Sequence, residues 1–277
     1  MMIIDNSERN TISVDGIDVY FGEIGESNHQ ALILIHGLGD CARSWDYFAQ
    51  AMSDEFRVIT LDSRGHGQSD KSLNGEYPFK DYVKDLQILV EHLEIESLIL
   101  VGHGNGGRIA MSYAHDNPNK ISGLVIADAN LMPKHCFNVT FPVDINSNLN
   151  DDSIEPFVNV LKDRQPLSSE SVLLHQASML TFTTKEGIRT WKHDRAVMKN
   201  NDQPDLSSQW ENLKCPTLLL RGRQSNMVSH EEAVAMKERL SQCSIVELEG
   251  GGHWLYQEAP GSFESATRWF FQKHGLV

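Results

Sequence analysis

Residues 98–108 read Leu-Ile-Leu-Val-Gly-His-Gly-Asn-Gly-Gly-Arg, an apolar run that ends abruptly in glycines and continues into a helical pattern. Strand, sharp turn and helix in that order form the setting in which G-x-S-x-G exposes a nucleophilic serine. Here Gly104 holds the serine position, and a glycine has no oxygen with which to attack. The same stretch satisfies G-x-G-x-x-G through Gly102, Gly104 and Gly107. That pattern implies a different chemistry, a backbone that approaches a pyrophosphate at a helix N-terminus. Asp128 closes the next apolar run, Leu124-Val125-Ile126-Ala127, roughly where a ribose-binding acid would lie. Locally, then, acyl transfer without its central atom and dinucleotide binding both fit.

The elements around this turn decide what it can be part of. Thr11 to Gly25 alternates weakly and contains Asp15-Gly16, which predicts a β-hairpin. Ala31–Ile35, Phe56–Leu61, Ser97–Val101, Ile121–Ala127, Thr217–Leu220 and Ile245–Leu248 are short apolar runs, as expected of parallel strands buried on both faces. Between them lie helical periods. Trp45 to Met52 is one, with Ser44 as its N-cap; Asp81 to Leu93, Gly106 to Asn117 and Glu231 to Leu240 are others. Ser262 to Lys273 closes the chain with Phe263, Ala266, Trp269 and Phe270 on one face. Alternating strands and helices predict an α/β fold, a mostly parallel sheet flanked by helices. One stretch breaks the rhythm. From Asn130 to Asp205 there is no buried-strand run, only polar connectors (Asn146 to Asp152) and helical candidates at Ile154–Leu161, Ser171–Leu180 and Gly187–Met198. It reads as a helical insertion between two strands.

The chain of 277 residues can bury a substantial core. Its net charge of −14 argues against nucleic acid and anionic membranes as partners, because phosphate binding needs clustered Lys and Arg. Cys41, Cys136, Cys215 and Cys243 are scattered without a C-x-x-C, which suits reduced thiols in a cytoplasmic protein. The first ten residues lack the basic and apolar regions of a signal peptide, and no apolar stretch approaches the ~18 residues needed to span a bilayer. No histidine has metal-ligand spacing with another His or Cys, so neither a metal nor a cofactor is expected.

Each core strand hands over to a polar or glycine-rich loop at its C-terminal end, where ligands bind in open α/β sheets. The loops are His36-Gly37-Leu38-Gly39-Asp40, Asp62 to Asp70 with Arg64-Gly65-His66-Gly67 inside it, the turn at 102–107, and Gly250-Gly251-Gly252-His253-Trp254. Taken together, in this order and each after a strand, they resemble the α/β-hydrolase superfamily over nearly the whole chain. The dinucleotide reading loses against that resemblance. Its fingerprint belongs in the first βα turn of a domain, whereas several strands precede Gly102, and it leaves His36, His66 and His253 without a purpose.

The resemblance implies a core domain of residues 1–129 and 206–277 with a cap at 130–205. It implies that His253 is the catalytic histidine and that the main-chain N–H groups of Leu38 and Asn105 form an oxyanion hole. His36, His66 and His103 are expected to be structural. The family commonly places its acid after the strand ending at Leu220, where this chain has Asn226, and an amide cannot stabilise an imidazolium as a carboxylate does. Some members carry the acid after the preceding strand, and Asp128 stands there. Asp128 is therefore the favoured partner of His253, with Asn226 as the alternative. The implied activity is hydrolysis of a small carboxylic ester, thioester or lactone. The substrate would be small or medium and largely apolar, and the cap that sets its choice offers Phe157, Leu161, Met179, Leu180, Phe182 and Trp191, most of which are expected to pack the cap on itself or on the core. Gly104 admits two readings. It is a serine site disabled at one atom, an inactivated or ligand-trapping form with impaired activity. Or the chain is a natural non-hydrolytic member that binds a ligand or uses His253 as a general base without a covalent intermediate. Oligomeric state stays open.

Overall fold

The computed structural model describes residues 10–132, 151–200 and 202–277. Cys136, most of the polar connector that begins at Asn146, and the first nine residues lie outside them.

The chain begins with a hairpin, β1 (Thr11–Val14) and β2 (Ile17–Ile24). Its two-residue turn puts both Asp15 (φ 52°) and Gly16 (φ 84°) in the left-handed region, the geometry that an Asp-Gly pair tolerates best. Next come β3 (Ala31–Ile35), α1 (Asp46–Met52), β4 (Arg57–Leu61), α2 (Phe79–His92), β5 (Leu98–His103), α3 (Asn105–Asp116) and β6 (Ile121–Ala127). The chain then leaves the sheet for α4 (Glu155–Arg164), α5 (Glu170–Leu180) and a small hairpin, β7 (Thr181–Thr183) with β8 (Arg189–Trp191). It returns through α6 (Ser207–Glu211), β9 (Thr217–Gly222), α7 (His230–Glu238), β10 (Cys243–Leu248), α8 (Leu255–Glu258) and α9 (Pro260–Lys273).

The main sheet has eight strands in the order β1-β2-β4-β3-β5-β6-β9-β10. β2 pairs antiparallel with β1 and β4, and every other pairing is parallel. Leu86, Ile109, Tyr113, Trp210 and Met236 cover one face from α2, α3, α6 and α7. Phe48, Met52, Phe263 and Phe270 cover the other from α1 and α9. Both faces of the central strands are thereby dry, which is why those strands read as unbroken apolar runs. The segment between β6 and β9 has its own apolar cluster, with Phe157, Leu161, Leu173, Ala177, Leu180 and Trp191 packed around Cys41 of the core.

Several local expectations are corrected. Ser44 does not cap α1; it sits in a 3₁₀ turn (Ala42–Trp45) and donates its hydroxyl to Asp40 Oδ1 at 2.9 Å. Gly187–Met198 is not helical. Gly187 takes a left-handed turn (φ 79°) into β8, and only Arg195–Met198 coils, as a 3₁₀ turn. Trp269 is exposed on α9, where Lys273 lies over its ring at 4.9 Å, and Phe271 takes the buried place instead. Among the described residues no helix is long and apolar enough to cross a membrane. Cys41, Cys215 and Cys243 are buried free thiols.

Candidate active site

The glycines at the end of β5 have steric reasons. A Cβ on Gly102 would lie 2.3 Å from the carbonyl oxygen of Gly106, and one on Gly106 would lie 2.3 Å from that of Ile35. Their absence lets α3 press onto the central strands so that its N-terminus opens at the sheet's C-terminal edge. Between strand and helix, Gly104 takes φ 51°, ψ −118°, a backbone state that side chains rarely adopt. Its N–H donates to Ala127 C=O at 3.0 Å, which locks the turn to β6. Yet a Cβ would fit there. It would stand 3.4 Å from His253 Cε1 and 3.5 Å from Nε2, ordinary contact distances, with Gly37 Cα at 3.9 Å.

His253 reaches this point from the loop after β10. Its Nδ1 lies 2.7 Å from Asp128 Oδ2, which fixes Nδ1–H as the donor and leaves Nε2 facing Gly104. Asp128 follows β6 directly. It is fully buried, holds a left-handed φ of 49°, and donates its N–H to Leu220 C=O at 2.8 Å. Its Oδ2 also accepts the Ser225 hydroxyl at 2.6 Å. The loop after β9 therefore meets the acid through Ser225, a residue the sequence did not single out. Asn226 instead lines a neighbouring cavity of about 630 Å³, together with Gln224, Met227 and His253. Burial drives the His253 pKa down to about 4; the Arg164 charge adds to this and Asp40 opposes it.

His36, His66 and His103 act on the backbone. His36 accepts the Ser63 N–H on Nε2 at 3.0 Å and donates from Nδ1 to Gly37 C=O at 2.7 Å. His66 accepts the Gly39 N–H at 3.0 Å and donates to Arg64 C=O at 3.0 Å. Each thus holds one catalytic-side loop against the next. His103 donates from Nε2 to the carbonyl of His253 at 2.9 Å, steadying the loop that carries it. Burial lowers all three, His36 to about 4 and the others to about 3.

Leu38 lies in the loop whose Gly37 abuts Gly104, and Asn105 is the first residue of α3, where a backbone N–H has no partner within the helix. Gly37 thus brings the loop of Leu38 beside Gly104, and Asn105 follows Gly104 in the chain. Of the apolar residues expected to shape the pocket, Phe157, Leu161, Met179, Leu180 and Trp191 are buried in the segment's own cluster, and Phe182 is exposed. The cavity beside His253 is lined from that segment by Val160, Asp163, Arg164, Pro166 and Leu167. Among the described residues no group of three or more His, Cys, Asp or Glu side chains is placed to hold a metal ion.

A model of the α/β hydrolase fold family matches residues 30–260, and the chain belongs to that family. A Bacillus subtilis protein named as an uncharacterized hydrolase, YugF, is 25% identical over 262 residues, 90% of this chain and 92% of its own length. A Haemophilus influenzae protein provisionally named an esterase/lipase is 25% identical over 255 residues, covering 89% and 85%. Among solved structures, E-2-(acetamidomethylene)succinate hydrolase superposes with a TM-score of 0.84 at 22% identity, over 96% of this chain and 99% of that one. The thioesterase domain from the curacin biosynthetic pathway gives 0.78 at 22% identity, over 93% and 98%. These likenesses share the fold.

Proposed function

We propose that this chain is an acyl hydrolase scaffold acting on a small carboxylic ester, thioester or lactone, with a covalent route closed at Gly104. The observation that carries the reading is the direction of His253. Its Nδ1 is bonded to Asp128, and its Nε2 stands 3.5 Å from where a side chain at 104 would begin. A hydroxyl on that Cβ would fall within hydrogen-bonding reach of Nε2. It would attack the acyl carbon, pass its proton to His253, and see that proton leave with the departing group; water then releases the acid. The N–H groups of Leu38 and Asn105 would take up the developing oxyanion charge, helped by the α3 N-terminus. The segment 130–205 serves as a cap over a core of 1–129 and 206–277. The substrate body is small and largely apolar, and the protein works in the cytoplasm without metal or cofactor. Names among the relatives, an esterase/lipase and a thioesterase domain, are consistent with acyl-bond cleavage.

A second reading keeps His253 as a general base, or keeps only ligand binding, with Gly104 as the working residue. The preserved His253–Asp128 pair favours the base over the mere binder. The deciding experiment is Gly104→Ser assayed on 4-nitrophenyl esters. A large gain with a pre-steady-state burst supports the closed hydrolase. A folded variant without gain supports the second reading.

A further inference from the structure

The turn that carries Leu38 and the loop that carries His253 lie far apart in sequence and are joined through a buried carboxylate. Asp40 closes the four-residue turn that starts at Gly37, donating its N–H to Gly37 C=O at 3.2 Å, with Gly39 left-handed at φ 78°. The Asp40 side chain leaves that turn for the other loop. Its Oδ2 accepts Trp254 Nε1–H at 3.1 Å and Tyr256 OH at 2.9 Å, from residues one and three places after His253. Its Oδ1 accepts the Ser44 hydroxyl at 2.9 Å. Asp40, Trp254 and Tyr256 are all buried, so water has little access to these bonds.

Two donors from one loop meet a single oxygen of the other, and two bonds fix a direction where one would leave a hinge. The partners on the far side are themselves held. Trp254 stands edge-on to His253 with ring centroids 4.7 Å apart, and the Arg164 guanidinium of α4 lies over the same indole at 4.7 Å. Tyr256 stacks on Trp45 at 4.1 Å. A movement of Asp40 is therefore passed to the ring next to His253. Other ties here stay on one side: Glu258 accepts the Gly252 N–H at 2.7 Å within the histidine loop, and His66 holds Gly39. Asp40 crosses from one side to the other. The crossing matters because an acyl carbon must sit between the base and the oxyanion donors, and a misplacement of about 1 Å can cost about a hundredfold in rate.

We infer that Asp40 is a positioning residue: by closing the turn of Leu38 and binding Trp254 and Tyr256 through one oxygen, it sets the distance between the oxyanion donors and His253. This rests on the acyl-hydrolase reading and adds to it a residue that touches neither substrate nor reacting atoms.

Two measurements separate this inference from the reading beneath it. The first needs no catalysis: amide hydrogen exchange of the unaltered Gly104 chain and of Tyr256→Phe, which removes one donor to Oδ2 and keeps the ring. Exchange at Gly39 and Asp40 should become at least about fivefold faster in Tyr256→Phe, although residue 256 belongs to the other loop, while β5 keeps its protection. The second is steady-state kinetics on a 4-nitrophenyl ester in the Gly104→Ser background. Asp40→Ala should lower kcat about tenfold to a hundredfold and leave KM within about threefold. Asp40→Asn should recover most of that loss, because its oxygen can still take both donors while its NH₂ turns to Ser44 Oγ. Unchanged exchange at residues 39 and 40 in Tyr256→Phe overturns the inference, whether or not Asp40→Ala folds. So does a folded Asp40→Ala with unchanged kcat, or a loss carried by KM. Asp40→Asn as slow as Asp40→Ala overturns it too, since charge and not position would then be at work. Coupled exchange with no esterase activity in Gly104→Ser keeps the tie between the loops and overturns the hydrolase reading instead. Melting curves of each variant establish that it is folded.

Discussion

The residues at the ends of the strands and the segment between β6 and β9 approach the same cavity by different physics. Gly104, Asp128 and the loops of His36 and His253 are fixed by backbone hydrogen bonds and by helices pressed on a dry sheet. The intervening segment has a small apolar cluster of its own, and it offers the cavity a charge, Arg164, from the end of a helix. The difference is one of support: the strand ends are held within the core, whereas the segment adds a cluster of its own to its hydrogen bonds with core residues Tyr77, Arg108 and Gln257.

That contrast can be broken at several points. The largest effect should come from the strand-borne side. In the Gly104→Ser background, His253→Ala should cost about 10⁴- to 10⁶-fold in kcat, read as initial rates on an aryl ester. A loss below about tenfold would mean that His253 is not the base. Next, Asp128→Asn should cost about 10⁴-fold. Asn226→Ala should stay within about threefold, with Ser225→Ala in between because its hydroxyl only steadies the acid. Equal losses at Asp128 and Asn226 would dissolve the assigned pairing.

The segment's independence is tested by stability. Phe157 is fully buried in its cluster, edge-on to Trp191 at 4.8 Å. Phe157→Ala should destabilise by about 3–5 kcal/mol. Hydrogen exchange should rise in α4 and α5 while β5 and α3 keep their protection. Uniform loss of protection would show one cooperative unit. A smaller change is expected at the turn itself. Gly104→Ser forces a side chain into φ 51° and should lower stability by about 1–3 kcal/mol in denaturant melts.

The smallest effect concerns pH. In the proposed reaction His253 must be neutral to accept the proton, and burial holds its pKa below the ordinary histidine value, at about 4. Activity of Gly104→Ser should therefore persist through mildly acidic pH and fall as pH drops toward that value. Removing the Arg164 charge makes imidazolium less costly, so Arg164→Met should move this acid limb upward, by under about one unit. A downward shift would contradict the placement of that charge.

Much of this was legible from residue order. Strands dry on both faces read as apolar runs, and polar or glycine-rich stretches after the runs marked the loops that converge. What the sequence could not give depended on tertiary distance. The Asp128–His253 contact joins residues 125 apart, and the choice over Asn226 rested on charge and on the place some family members give the acid until the 2.7 Å contact was on the page. β7 and β8 are three residues each, too short for a period, and β8 fell inside the stretch Gly187–Met198 that read as helical. Arg164 went unnoticed because basic residues at a helix end, here Lys162 and Arg164, ordinarily serve the helix dipole. Most of the bulky cap residues fill the segment's own interior, as expected of them, and Phe182 is exposed.

The relaxed turn at Gly104 also bears on how this chain can change over generations. A serine there would carry backbone strain that glycine avoids, and relief of that size is a sizeable share of a domain's total stability. Selection acts mainly against falling below a folding threshold. A chain relieved at this turn can therefore absorb one or two further destabilising substitutions elsewhere before its abundance falls, and loops and surface are freer to drift than in a chain with a side chain at this position.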